Sequence, residues 1–566
     1  MKQVIPTGKQ NFRSLREKDC FYVDKTNFIK EWWESEKDVT LITRPRRFGK
    51  TLNLSMVESF FSNQYEGRAD LFEGLSIWEE EKYQKLQGTY PVIFLSFADV
   101  KNINFKSARE NISQLIIDLY AKFDFLQKSD ALNSKEKKYL TYVCESMSDV
   151  IIQRSLHRLA LCLNKHYNKK VIILLDEYDA PLQEAYVNGY WKEMVDFIRS
   201  LFNSTFKTDT VACIERSLLT GITRVSKESI FSDLNNLIVV TTTSEKYATS
   251  FGFTEEEVFE ALDQQGLSDY KEEVKQWYDG FTFGSHADIY NPWSISNFLD
   301  LGKFATYWVN TSSNGLVDKL IKEGSKEIKT AMEDLLVGKS FVTPLNEEIV
   351  FNQLQKKKGA IWSLLLASGY LKAVKFEFQM DTGKTIYHLK ITNQETLFMF
   401  RSMIEEWFSE EDDSCYNDFI EALLSNDIDS MNDFMNEIAL QSFSFFDSGK
   451  QSSKKTQPER FYHGFVLGLI IDLANQYRIT SNRESGFGRY DIVLEPLQSY
   501  LDAIVIEFKV YNARKEESLQ DTVNVALTQI REKNYDADLL AKGIPAERIR
   551  HYGFAFKGKE VLIGSD

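Results

Sequence analysis

Nothing in this chain reads as a membrane span or an export signal. No stretch approaches the roughly 18 consecutive apolar residues of a bilayer crossing, and Met1-Lys2-Gln3-Val4-Ile5-Pro6 lacks the apolar core of a signal peptide. Cysteine is sparse. Cys20, Cys144, Cys162, Cys213 and Cys415 are scattered, with no Cys-x-x-Cys. That argues against a disulfide framework and fits reduced thiols in a cytoplasmic protein. Positive charge is also short: 68 Lys and Arg stand against 83 Asp and Glu, a net −15. No global field therefore draws the chain to nucleic acid, and any such contact needs a local patch. Helicase-type motifs and a basic channel, which an ATP-driven translocase requires, are missing too.

What remains is the content of a folded protein, with 43% apolar and 27% charged residues. At 566 residues the chain exceeds one ordinary core, and its length alone suggests about three or four domains. The richest stretch is Val39-Thr40-Leu41-Ile42-Thr43-Arg44-Pro45-Arg46-Arg47-Phe48-Gly49-Lys50-Thr51. A β-branched run enters a turn ending in Gly-Lys-Thr, and a helix over 52–61 follows. Strand, loop, Gly-Lys-Thr, helix is the phosphate cradle of P-loop NTPases. Gly49 lets backbone N–H groups point at phosphate oxygens. Lys50 brings charge to the β- and γ-phosphates, and the Thr51 hydroxyl suits Mg²⁺. The full pattern wants a further glycine where this chain has Arg44.

Ahead of the loop, Phe21 to Thr26 reads as a short strand and turn, in which Asp24 and Lys25 either touch a nucleotide or only make the turn. After it, Tyr90 to Phe97 reads as a buried strand, and residues 105–166 as helical. The apolar run Val171 to Leu175 is a central parallel strand ending in Asp176-Glu177-Tyr178-Asp179. An acidic pair there is where Mg²⁺ is held, by Asp176, and where an attacking water is oriented or deprotonated, by Glu177. A third strand over 216–224 brings Thr220, Thr223 and Arg224 toward a γ-phosphate. Arg224 would stabilise transition-state charge or make only a salt bridge. Thr254-Glu255-Glu256-Glu257 is a capping box, and Pro292 starts another helix. Residues 250–335 read as a small, mostly helical module, and 449–458 as a polar, basic linker or exposed loop.

The C-terminal pattern differs. An apolar helix spans 459–475. Ser485-Gly486-Phe487-Gly488-Arg489-Tyr490-Asp491 turns into a strand, and a second strand holds Glu507-Phe508-Lys509. Side chains two apart share a strand face, so Glu507 and Lys509 point together and Phe508 points away. Asp491 and Glu507 suit Mg²⁺, and Lys509 would position a water or stabilise charge. A structural ion pair on an edge strand is the plainer alternative. A helix with Ala526, Gln529, Ile530 and Tyr535 follows, and strands over 551–556 and 560–563 close the chain.

Taken together, Tyr22-Val23-Asp24-Lys25-Thr26, Arg44 to Thr51 and Leu175-Asp176-Glu177-Tyr178-Asp179 resemble the bacterial AAA-ATPase-like family, whose members carry a C-terminal PD-(D/E)XK nuclease-superfamily domain. In that family the loop usually runs Arg-Pro-Arg-Arg-Phe-Gly-Lys-Ser/Thr, so Arg44 is a family trait. The C-terminal resemblance rests on Glu459-Arg460-Phe461-Tyr462-His463-Gly464, Gly488-Arg489-Tyr490-Asp491 and Glu507-Phe508-Lys509. It implies Asp491, Glu507 and Lys509 as a nuclease core, with Glu459 a helical carboxylate. Gln529 and Tyr535 stand where related exonuclease-like members carry Gln-x-x-x-Tyr, with a longer spacing here.

The expected fold is α/β: a P-loop NTPase parallel sheet with a helical module, plus a PD-(D/E)XK-like α/β domain. The expected segments are 1–250 for the ATPase-like domain, 251–340 for a helical lid or winged-helix-like module, 341–450 for a mixed α/β connector and 451–566 for the nuclease-like domain. Arg46, Arg47, Phe48, Gly49, Lys50, Thr51, Asp176 and Arg224 are the expected nucleotide contacts. Thr51, Asp176, Asp491 and Glu507 are the expected metal ligands, and Glu177, Asp491, Glu507 and Lys509 the expected catalytic groups. The expected cofactors are ATP and Mg²⁺, with Mn²⁺ an option at the C-terminal site. Nucleic acid is the expected substrate and self-association the expected assembly. Links to STAND-type regulatory ATPases, phage defence and mobile elements are by analogy. The rival expectation is an ATP-dependent switch whose nuclease-like domain does not cut.

Overall fold

The computed structural model describes residues 3–207, 211–224, 230–231, 234–309, 315–322, 326–336, 338–345, 359–409, 413–442, 466, 470, 473, 476–481, 484–485, 488–489, 491–512, 515–557 and 560–566. Two compact units divide the chain. One holds residues 1–323 and 340–397, the other 324–339 and 398–566.

In the first unit the β-branched run forms β1 (Val39–Thr43), buried along its whole length. With β2 (Val92–Ser96), β3 (Val171–Asp176), β4 (Ile214–Gly221) and β5 (Leu237–Val240) it makes a parallel sheet in the order β2-β3-β4-β1-β5. Strands buried on both faces need no alternation, which is why β3 reads as an apolar run up to Asp176 and β1 as a β-branched, mainly apolar one. The register pairs Ile42 with Thr220 and Leu175 with Leu219. It thereby brings the ends of β1, β3 and β4 to one edge, the carboxyl edge where open α/β sheets hold ligands. The helix Lys50–Phe61 begins at Gly49, whose φ of +77° starts the helix from a left-handed turn.

Residues 21–25 form no strand, so the strand expected there is absent. Asp24 Oδ1 instead accepts from Thr26 N at 2.8 Å, and Lys25 Nζ contacts Glu257 at 2.6 Å and Thr249 O at 2.8 Å. Glu257 also closes the capping box with Thr254 N at 2.8 Å. The module beyond it, mostly helical among its described residues, also carries a small sheet. β6 (Phe253–Thr254), β7 (Phe281–Phe283) and β8 (His286–Tyr290) form a sheet ordered β6-β8-β7. Phe281 and Phe283 alternate with Thr282 about a turn at Gly284, a period of two that the surrounding helical spacing conceals. β9 (Phe341–Pro344), β10 (Leu371–Gln379) and β11 (Lys384–Ile391) complete this unit as a sheet ordered β10-β11-β9.

The second unit contains β12 (Tyr477–Ser481), the pair β13 (Glu484–Ser485) and β14 (Gly488–Arg489), and β15 (Ile492–Pro496). β16 (Ala503–Val510), β17 (Ile549–Lys557) and β18 (Glu560–Ser565) follow. Its main sheet runs β12-β15-β16-β17-β18, with β16 and β17 parallel and the other neighbours antiparallel. Phe508, Phe554 and Phe556 enter one core with Phe419, Met431 and Met435 of the helices Asp413–Ser425 and Ile428–Ser442. Val505 and Ala555 face the other core, with Val523, Leu527 and Ile530 of the helix Leu519–Lys533. The outer edge of β18 is closed by two amides. Asn432 pairs with the N–H and C=O of Ile563 at 2.7 and 2.9 Å, and Asn436 with those of Val561 at 2.9 and 2.7 Å. Spaced by four on one helix, they meet residues spaced by two on the strand and satisfy backbone groups a bare edge would leave open. The linker expected at 449–458, most of the helix expected at 459–475, and Glu459 itself lie outside the described residues.

His551 carries a pH dependence. Its Nε2 meets Asp536 and its Nδ1 meets the C-terminal residue Asp566, each at 2.9 Å. Burial opposes its protonation, but the two carboxylates outweigh burial and raise its pKa above 6.5. A raised folded pKa adds stability that is complete below the unfolded value and lost as pH rises through the folded one. Thermal unfolding scans should therefore show this unit losing stability above about pH 6.5, and His551→Ala should flatten that slope. Equal slopes in both proteins would refute the assignment.

Candidate functional site

The loop 44–49 connects β1 to its helix, and each of its arginines has a separate task. Arg44 is fully buried and points away from the cradle. Its guanidinium donates to Thr43 O at 2.9 Å, Thr241 O at 2.7 Å and Tyr247 O at 3.2 Å, and lies 4.5 Å from the centre of the Phe283 ring. Burial lowers its pKa to about 9, which leaves it charged at neutral pH among carbonyl oxygens. It braces the loop from behind. Arg46 Nη2 reaches Gln183 at 3.5 Å, while its carbonyl accepts from Trp308 Nε1 at 3.0 Å and Asn291 Nδ2 at 3.3 Å. Arg47 takes a φ of +64° and stacks on Trp293 at 4.4 Å. Phe48 is buried against Phe281 at 4.7 Å and Phe283 at 5.4 Å, and such ring pairs add about 0.5–1.5 kcal/mol each beyond area burial.

Behind this grip sits a carboxylate the sequence did not single out. Glu395 is fully buried, accepting from Trp308 N at 2.5 Å and Ser294 Oγ at 2.8 Å. Burial pushes its pKa up to about 7, against those hydrogen bonds. It orients Trp308, which in turn holds the Arg46 carbonyl.

The acidic end of β3 meets this loop. Asp176 Oδ2 accepts from Thr51 Oγ1 at 2.8 Å, and Asp176 Oδ1 from Thr220 Oγ1 at 2.7 Å. Burial, and then the neighbouring Glu177, raise the pKa of Asp176 against the pull of those hydroxyls and Lys50. Glu177 has a φ of +51°, uncommon for a residue with a side chain and typical of strained functional positions. Its Oε1 is 3.6 Å from Lys50 Nζ, and that ammonium donates to Pro45 O at 3.0 Å. Thr51 and Asp176 are the hard oxygen pair Mg²⁺ takes, and Lys50 is a buried ammonium poised at the loop, so these residues fit a metal–nucleotide complex. Thr223 belongs to a different contact. Its N–H and Oγ1 both bond Asp179 Oδ2 at 2.8 Å. Asp179 thus fixes the turn after β4, and a side chain on Gly221 would strike its Oδ1 at 2.5 Å.

Arg46 to Thr51 and Glu177 line one cavity of about 580 Å³. Arg224 does not line it; that residue lines a small cavity with Thr43, Thr241 and Ser363. The structure thus places the arginine expected to stabilise charge in a different cavity from Lys50 and Glu177.

The second unit holds the other cluster. Asp491 precedes β15, one step beyond the Ile492–Ile506 pair, and thus falls opposite Glu507. Its Oδ2 accepts from Phe508 N at 2.9 Å. Glu507 is 1% exposed, and its Oε1 contacts Lys509 Nζ at 2.7 Å. Gln529 reaches the same Oε1 from the helix covering this face and lies 2.9 Å from Tyr535 Oη. Tyr535 is not in that helix as expected. Asn534, at φ +51°, ends the helix and turns the chain back, so the longer spacing still brings Gln529 and Tyr535 together. The Glu507 carboxylate and Lys509 ammonium on β16, with the Asp491 carboxylate opposite, fit a hard divalent ion. Among the described residues no three His, Cys, Asp or Glu side chains converge, and no helix is long and apolar enough to cross a membrane.

Comparison with known proteins agrees with both halves. Residues 6–231 match a family model described as predicted AAA-ATPase, and residues 457–566 one described as PD-(D/E)XK nuclease superfamily. A protein of Azotobacter chroococcum mcd 1, described as an uncharacterized protein in the vnfD 5' region, is 24% identical over 559 residues, covering 96% of this chain and 95% of its own. A STAND protein with a tetratricopeptide repeat sensor from Pyrococcus horikoshii aligns over 80% of this chain at 12% identity and a TM-score of 0.24. The match spans 50% of that structure's length, and at that score the likeness carries no argument.

Proposed function

We propose that this chain, an AAA-ATPase-like protein with a C-terminal domain of the PD-(D/E)XK nuclease superfamily, is a nucleotide-controlled, metal-dependent nuclease. The loop Arg46–Thr51 takes the phosphates of ATP, with Lys50 neutralising them and Thr51 and Asp176 holding the ion. Glu177 orients or deprotonates the attacking water, and slow hydrolysis makes the site a switch. In the second unit Asp491 and Glu507 hold Mg²⁺ or Mn²⁺, and Lys509 positions a water or offsets charge on the phosphodiester. When bound, that ion supplies water activation and charge neutralisation. DNA or RNA is the substrate, and phage defence or mobile-element biology the setting to examine.

The observation that carries this reading is the buried Glu507 carboxylate, whose Oε1 meets both Lys509 Nζ from its own strand and Gln529 from the covering helix, with Asp491 bonded to the adjacent Phe508 N–H. Its test is cleavage by the full chain with Mg²⁺, across single- and double-stranded DNA and RNA. Asp491→Ala should abolish it, and equal cleavage by both proteins removes the assignment. A second reading, a switch that does not cut, draws on the absence of a third convergent ligand among the described residues. Metal binding by calorimetry without cleavage of any substrate would favour it.

A further inference from the structure

The cavity at the loop extends past the phosphate cradle to a wall built from two distant strips, Pro6–Gln10 and Phe21–Val23. The first strip is a fixed turn. Lys9 N donates to Pro6 O at 3.0 Å, and Gly8 takes a φ of +84°, the left-handed third position that a type II turn gives to glycine. A Cβ on Gly8 would lie 3.8 Å from the Trp293 ring, the ring on which Arg47 stacks. Phe21 N donates to Val4 O at 3.0 Å and ties the second strip to the residues that lead into the first. Apolar surface from Leu15, Val23 and Phe253 also lines the cavity. Within this wall the Thr7 hydroxyl is shielded from solvent and bonded by no protein group. Such a hydroxyl costs stability unless something else bonds it.

We propose that the Pro6–Lys9 turn and the Phe21–Val23 strip form the nucleobase subsite of this cavity, with the Thr7 hydroxyl bonding the base edge. The inference rests on the nucleotide reading given above and deepens it: the ligand is a nucleoside triphosphate recognised at both ends, not a polyphosphate. Apolar groups cover the ring faces, and one hydroxyl, able to donate or accept, reads its edge.

Two probes separate the subsite from the cradle, MgATP and base-free Mg-tripolyphosphate, each titrated calorimetrically into the full chain. Thr7→Val should weaken MgATP about tenfold and leave tripolyphosphate unchanged, while Thr7→Ser keeps both. The empty Thr7→Val protein should melt at the same temperature or higher, because it buries a methyl in place of an unbonded hydroxyl. Equal losses on both probes, no loss of MgATP, or a lower melting temperature would each overturn the proposal. Lys50→Ala is the control for the underlying reading and should lose both probes. If it binds both like the unmodified protein, the P-loop reading itself fails, whatever Thr7 does.

Discussion

Lys50→Ala is expected to weaken MgATP binding by at least about 100-fold. Charge-assisted hydrogen bonds to phosphate contribute about 1.5–3 kcal/mol each, so losing two removes about 3 kcal/mol or more. The fold should tolerate the change. Lys50 donates to a backbone carbonyl, Pro45 O, and lies 3.6 Å from Glu177. Glu177 is 24% exposed, so water can take over its solvation. An unchanged melting temperature with lost binding therefore separates a ligand role from a structural one. Fluorescent-nucleotide titration measures it, and binding like that of the unmodified protein would sink the P-loop assignment.

Lys509→Ala is expected to lower nucleic-acid cleavage by about 10²–10³-fold, the usual cost of deleting one preorganised group that offsets transition-state charge. Lys509→Arg should not restore it, because a planar fork does not replace a compact ammonium at 2.7 Å from Glu507. Gln529→Ala should cost less, about 10–100-fold, since Gln529 acts through Glu507 by orienting it. It is a positioning residue, and raising the Mn²⁺ concentration should recover part of its loss but none of that of Lys509→Ala. Gln529→Ala falling as far as Lys509→Ala with no metal rescue would contradict this division. Metal-dependent cleavage at steady state measures all three.

Both clusters were legible where chemistry lies close along the chain. Gly49-Lys50-Thr51 is contiguous, and Asp176 follows a wholly apolar strand, so local pattern and local geometry coincide. Glu507 and Lys509 needed only the period of a strand. What the sequence hid is what distance in the chain supplies. Arg44 occupies a glycine position, and its carbonyl partners Thr241 and Tyr247 lie about 200 residues away, so no local rule reveals a brace. Trp308 and Glu395 grip the loop from further still. Gln529 and Tyr535 sat at an unfamiliar spacing until the left-handed turn at Asn534 accounted for it. Arg224 shows the reverse: a polar strand end suggested a γ-phosphate contact, and the residue lines a different cavity from Lys50 and Glu177.

The measurement closest to the central claim is the rate of nucleic-acid cleavage by the full chain, with and without MgATP, for the unmodified protein and for Lys50→Ala. Nucleotide control predicts that MgATP changes the rate of the unmodified protein and leaves that of Lys50→Ala where it was. Cleavage at one rate in all four conditions would contradict it.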